Sequence, residues 1–121
     1  DRSRKSLGGE RTFGADISQR EDLREALDRI IDIVWDRIET AEAKGRTVTL
    51  KLKYNDFQIV SRAASRPAPI SAKQEFASIG HDLLSSAIPL PRPIRLMGLT
   101  LSNLDGKSSA PDEPGLQLDL F

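Results

Sequence analysis

The sequence predicts an α+β fold: a single βαββαβ domain with one four-stranded sheet and two helices on one of its faces. Two segments repeat apolar residues at helical spacing, and others alternate apolar and polar residues with period two. Their order along the chain is strand, helix, strand, strand, helix, strand, a split βαβ or ferredoxin-like arrangement. The alternating strands have only one apolar side, so both helices are expected on the same face of the sheet.

The opening stretch, KSLGGERTFGADI, is extended and Gly-rich and reads as the first strand. SQREDLREALDRIIDIVWDRIETAEAKG follows. Ser18 with Glu21 three residues on forms a capping box, and Leu23, Ala26, Leu27, Ile30, Ile31, Val34, Ile38 and Ala41 make an apolar stripe. Gly45 is placed to stop this helix. Trp35 borders the stripe and reads as a packing residue. In TVTLKLKY, Val48, Leu50, Leu52 and Tyr54 alternate with Thr47, Thr49, Lys51 and Lys53, a strand with one buried face. Tyr54-Asn55-Asp56 supplies turn chemistry, and FQIVSR returns as the partner of a hairpin.

A second helix is expected from Ser71, with Gln74 completing a capping box and Phe76, Ile79, Gly80, Leu83, Leu84 and Ala87 as its apolar stripe. Pro89, Pro91 and Pro93 stop it. His81 lies off the stripe and reads as a solvated residue without a catalytic partner. In the last strand, PIRLMGLTLSNL, Ile94 and Leu96 hold one phase and Leu99 and Leu101 the other, which suggests a bulge at Met97-Gly98.

Composition narrows the function. Cys is absent and His81 is the lone histidine, which argues against disulfides and transition-metal centres. No apolar run is long enough to cross a bilayer and no signal-peptide pattern opens the chain, so a cytoplasmic setting without a membrane partner is expected. The first residue is Asp, which leads us to expect a portion of a longer protein. No nucleophile with a base, phosphate loop or metal cluster is visible, so neither catalytic nor metal-binding residues are assigned.

The net charge is zero, but its distribution is uneven. Arg46, Lys51, Lys53, Arg62 and Arg66 face a single acid, Asp56, between residues 45 and 70, whereas the first helix and the tail are acidic. Thr47, Thr49, Lys51 and Lys53, with Arg62 and Arg66 from the next strand, are expected on the face left open by the helices, close to Gly8 and Gly9. Alternating Lys and Thr suit contacts to phosphates; they equally suit a solubilised sheet face that deters aggregation. The polar phase carries no aromatic, which favours backbone binding over base stacking.

Taken together, KSLGGERTFGADI, TVTLKLKYNDFQIVSR and RLMGLTLSNL resemble the C-terminal little-finger domain of bacterial Y-family translesion DNA polymerases, closest to their DNA polymerase IV branch, over about residues 4 to 104. The terminal QLDLF resembles their sliding-clamp-binding peptide. The resemblance implies a monomeric domain that grips duplex DNA phosphates beside the polymerase's own catalytic core. Lys5, Ser6, Gly8, Thr49, Lys51, Lys53, Ser61, Arg62 and Arg95 match the positions of its DNA contacts. Gly9 and Thr100 depart from the pattern, at positions where Ser and a basic residue are common. The resemblance further implies a β sliding clamp as partner through Gln117, Leu118, Asp119, Leu120 and Phe121, with the two leucines and the phenylalanine in apolar pockets, Gln117 at the rim and Asp119 toward solvent.

The organisation implied is a DNA-binding domain at 1–104, a flexible linker at 105–116 and the clamp motif at 117–121. Catalysis would belong to a palm outside this chain that holds Mg²⁺; no cofactor is expected here. The parent is then a DNA-directed DNA polymerase used in DNA damage tolerance, acting in the bacterial cytoplasm at the nucleoid. Two alternatives stay open: the same domain of a catalytically inactive polymerase-like accessory protein, and a ferredoxin-like RNA or protein binder.

Overall fold

The computed structural model describes residues 6–104. Lys5 and the segment 105–121, with the expected linker and clamp motif, lie outside the described residues. The elements are β1 (Ser6–Ile17), α1 (Arg20–Ala41), β2 (Thr47–Tyr54), β3 (Ile59–Ser65), α2 (Lys73–Ala87) and β4 (Ile94–Ser102). They form one antiparallel sheet in the order β1-β4-β2-β3. The strand inserted between β1 and β2 is therefore β4, the last to be synthesised.

Register follows from burial. Val48 pairs with Leu101, Leu50 with Leu99 and Leu52 with Met97, and all six are at most 1 % exposed. Antiparallel partners point to the same side, so these pairs lay one apolar floor under both helices. Leu23, Leu27, Ile30, Ile31, Val34 and Ile38 of α1 and Phe76, Ile79, Leu83 and Leu84 of α2 close it from above. Trp35 packs against Phe76 with ring centroids 5.5 Å apart, as its position beside the stripe suggests. Gly80 lets α2 lie close to the sheet, with Leu99 beside it.

The helix ends differ from the capping patterns in the sequence. The N-caps are Gln19 and Ala72, neither with a side-chain cap hydrogen bond. Each helix begins two residues after the expected Ser cap, so neither Ser18 nor Ser71 stands at the N-cap position. At its other end α1 stops on Glu42, which takes the left-handed conformation at φ 53°. Gly45 is instead buried against Leu101 and the Ser102 carbonyl.

In β4 the phase change falls earlier than the apolar pattern suggests. Met97, Leu99 and Leu101 share the helix side, and Leu96 is on the opposite face, paired with Lys53. The ladder then steps from Lys53–Leu96 to Tyr54–Ile94, leaving Arg95 as the extra residue of a bulge. β1 makes a larger detour at the same place: Thr12 pairs with Leu96 and Ile17 with Ile94, so residues 13–16 loop out opposite Arg95.

His81 is not a solvated residue. Its side chain is 19 % exposed, and Nε2 donates to the Asp28 carboxylate across the α1–α2 seam at 2.6 Å. Its Nδ1 is buried without a partner among the described residues.

Phe76 joins both helices to the sheet at 0 % exposure. Phe76→Ala should therefore cost about 3–5 kcal/mol of stability, read as a lower urea midpoint with Trp35 fluorescence as the probe.

Candidate nucleic-acid interface

The helices cover one side of the sheet and leave the other open. Register defines that open face as four rows crossing β1, β4, β2 and β3. The first is Ser6, Ser102, Thr47 and Ser65; the second is Gly8, Thr100, Thr49 and Ala63. The third is Glu10, Gly98, Lys51 and Ser61; the fourth is Thr12, Leu96, Lys53 and Ile59. Adjacent rows are about 7 Å apart and the face about 14 Å across. One end is small and hydroxyl-bearing, and bulk and positive charge increase toward the other.

The hydroxyl end is pre-ordered. Thr47 Oγ1 and Ser65 Oγ are 2.8 Å apart, and Asn103 Nδ2 donates to Thr47 Oγ1 at 2.7 Å. Gly8 has no room for a side chain: a Cβ there would lie 2.6 Å from Thr100 Oγ1 and 2.7 Å from the Leu99 carbonyl oxygen. The Gly8 carbonyl accepts from Arg37 Nη1 at 2.6 Å, which ties β1 to α1. In the middle row, Lys51 Nζ and Glu10 Oε1 form an ion pair at 2.8 Å.

The far end holds a feature that the alternation conceals. The β2–β3 turn places Phe57 at φ 74°, and the side chain is exposed. Its amide donates to the Tyr54 carbonyl at 2.9 Å, and the Gln58 amide donates to the Asp56 carboxylate at 3.1 Å. Two cations lie against the ring: the Arg95 guanidinium 4.6 Å and Lys53 Nζ 5.3 Å from its centroid. The bulge brings Arg95 into that position. Arg92 pairs with Asp56 at 2.8 Å on the same corner. The exposed aromatic absent from the strand's polar phase is thus supplied by the turn, as a support for cations. The FQ after the Asn-Asp turn was its only trace in the sequence.

Of the expected contact residues, Ser6, Gly8, Thr49, Lys51, Lys53 and Ser61 share the open face, and Arg95 joins them through the bulge. Arg62 does not. It pairs with Leu50 and so belongs to the helix side, exposed on the edge strand. Val60 and Arg62 share a phase in the sequence as well, but only the hairpin register, which pairs Val60, Arg62 and Ala64 with Leu52, Leu50 and Val48, shows that this phase faces the helices. Arg66 lies beyond β3, its amide bonded to the Arg46 carbonyl. Gly9 also leaves the face: its missing Cβ would sit 3.2 Å from Val34 under α1. Thr47 and Thr100 also lie on the face.

Among the described residues there is no group of three or more His, Cys, Asp or Glu able to hold a metal ion. No helix among them is long and apolar enough to cross a membrane.

Residues 4–120 match the impB/mucB/samB family C-terminal domain. DNA polymerase IV 2 of Agrobacterium fabrum is 38 % identical over 120 residues, covering 99 % of this chain and 34 % of that protein. DNA polymerase IV 3 of Mesorhizobium japonicum is 42 % identical over 120 residues, covering 99 % and 33 %. The chain thus spans about a third of the length of these curated relatives. Solved structures share the fold, two of them as follows. One, described as a post-insertion binary complex of Dbh DNA polymerase, aligns with a TM-score of 0.72 at 18 % identity, over 82 % of this chain and 28 % of that one. The other, described as a complex of the beta-clamp processivity factor and the little finger domain of PolIV, aligns at 0.67 and 22 % identity, over 92 % and 99 %.

Gly8→Val should force β1 and β4 apart. The expected cost is about 1–3 kcal/mol, the usual range for overpacking, measured by urea denaturation.

Proposed function

The chain belongs to the impB/mucB/samB family C-terminal domain, the little-finger domain of Y-family DNA polymerase IV, and from that premise we propose that its open sheet face grips the phosphate backbone of duplex primer–template DNA. The observation that carries this reading is the set of four cross-strand rows on a face that no helix covers. A phosphate chain needs shallow relief, hydroxyl and amide donors, and cations at one level. Ser6, Thr47, Thr49, Thr100 and Ser61 offer hydroxyls, Gly8 keeps the relief low, and Lys51, Lys53 and Arg95 supply the charge. The rows carry no base-reading amides, so the grip is independent of sequence. A translesion polymerase requires that, because damaged templates differ in base and share a backbone.

The acidic outer side of α1 adds direction. Asp22, Glu25, Asp28, Asp32, Asp36 and Glu39 are exposed on α1 and outweigh its exposed Arg20, Arg24, Arg29 and Arg37, although Asp32 is paired with Lys73 and Asp28 with His81. DNA approaching that side meets like charge, which steers the open face toward it.

The clamp assignment is carried by sequence and by the family. Gln117–Phe121 would dock in apolar pockets of the β sliding clamp while residues 105–116 act as the tether and 1–104 stay on DNA. Burying each Leu or Phe contributes about 1.5–3 kcal/mol, and ordering the peptide offsets part of this. The longer polymerase would supply Mg²⁺-dependent nucleotidyl transfer from palm carboxylates outside this chain, beside which this domain lengthens the grip on DNA.

Two measurements test these readings. Replacing Lys51 and Lys53 together by Ala should weaken duplex binding and reduce the slope of log K against log salt by between about 0.9 and 1.8, at about 0.9 per phosphate contact. An unchanged slope in fluorescence anisotropy titrations refutes the open-face grip. Deleting residues 117–121 should abolish binding to immobilised clamp while leaving the melting temperature unaltered. Retained clamp affinity refutes the tail assignment.

A further inference from the structure

The proposed phosphate-binding face contains one acid in its centre, Glu10, and the structure gives it a specific partner. Glu10 on β1 and Lys51 on β2 are not neighbours: β4 runs between them, with Gly98 in register with both. Two strand spacings separate their backbones by about 9.6 Å. Their side chains nevertheless meet, Nζ to Oε1 at 2.8 Å. They can do so because the intervening position has no side chain. A Cβ at Gly98 would lie 3.0 Å from Glu10 Cβ and 3.6 Å from Glu10 Oε1. The Lys51 side chain lies along this gap and is only 14 % exposed, whereas Glu10 is 51 % exposed. A surface lysine normally extends its ammonium into water; this one is folded down onto the sheet and toward a carboxylate.

We propose that Glu10 acts as an internal competitor for duplex DNA: it holds Lys51 across the Gly98 gap and so sets the domain's affinity below what its cations alone would give. The inference rests on the DNA-binding reading of the open face. A phosphate that reaches Lys51 must either displace the Glu10 carboxylate or share the ammonium with it. Displacement breaks an existing ion pair. Sharing leaves two anions within a few ångströms of each other, deep inside the screening length at physiological salt. Either route removes most of the gain from one phosphate contact. Lys53 and Arg95 rest on the neutral ring of Phe57 and carry no such charge penalty from it. The face therefore holds two classes of cation, one restrained by an opposing charge and one supported by an aromatic. A restrained central cation suits a domain that must slide with its polymerase and release DNA when the lesion is passed.

The test uses the 121-residue chain, a fluorescent primer–template duplex and anisotropy titrations across 50–200 mM salt. Glu10→Gln keeps the side chain's length and its acceptor oxygen and removes only the charge. It should restore the equivalent of one phosphate contact: the salt slope steepens by about 0.9, and binding at 50 mM gains about threefold relative to 200 mM. Glu10→Ser, which also loses the reach to Lys51, should do the same. Both effects should vanish in a Lys51→Ala background, because no restrained cation remains to be released. Unchanged or weaker binding in both Glu10 variants, with Lys51→Ala alone still weakening it, overturns the competitor role and leaves the DNA-binding reading standing. If Lys51→Ala also leaves duplex affinity unchanged, both fail together.

Discussion

The floor made by Val48–Leu101, Leu50–Leu99 and Leu52–Met97 fixes everything else in this domain. These three pairs face the helices and exclude water almost completely. A strand's side chains alternate sides, so slipping β4 by one residue would put Thr100 and Gly98 under the helices and the leucines in solvent. Each misplaced side chain would forfeit about 1.5–3 kcal/mol, several times thermal energy, and Met97, Leu99 and Leu101 would move together. Register on the helix side is therefore not negotiable. The open face inherits its rows from that decision.

This bears on the proposed phosphate grip. A surface that follows a phosphate backbone needs its donors at fixed spacing, yet exposed Ser, Thr and Lys contribute little to their own placement. Here burial on the far side does the positioning. Thr49, Lys51 and Lys53 are held by Leu50 and Leu52 between them, and Thr100 and Gly98 by Leu99. Where that floor ends, at the Arg95 bulge and the 13–16 detour of β1, the face changes character. There the ring of Phe57 takes over the role of holding cations, through contacts that do not depend on ladder register.

Strong periodic patterns were legible. The stripe from Leu23 to Ile38, the alternation from Thr47 to Tyr54 and the stripe from Phe76 to Ala87 each occupy the elements and faces expected of them. Where the pattern was weak, local cues misled. Ser18 and Ser71 have the spacing of capping boxes, but helix starts are set to within a turn by packing, and here Gln19 and Ala72 take the N-cap position. β3 has few apolar residues, so nothing in its sequence decides which phase faces inward. The hairpin register decides it and sends Arg62 to the helix side. In β4 an apolar residue, Leu96, sits on the open face at 7 % exposure. That made two phases look like one bulge in the wrong place.

By itself the sequence determined the elements, their order, the sidedness of the sheet and the family, because each follows from repeated local chemistry or a run of matched residues. Tertiary structure alone decided which strand fills the space between β1 and β2, since hydrophobic alternation says that a strand has a partner and not which one. With β4 there, Glu10 and Lys51 come to lie on either side of Gly98. Forty residues of chain separate the acid from the lysine, and no local rule links them. Their meeting depends on strand order, on register and on the absence of a side chain at one position.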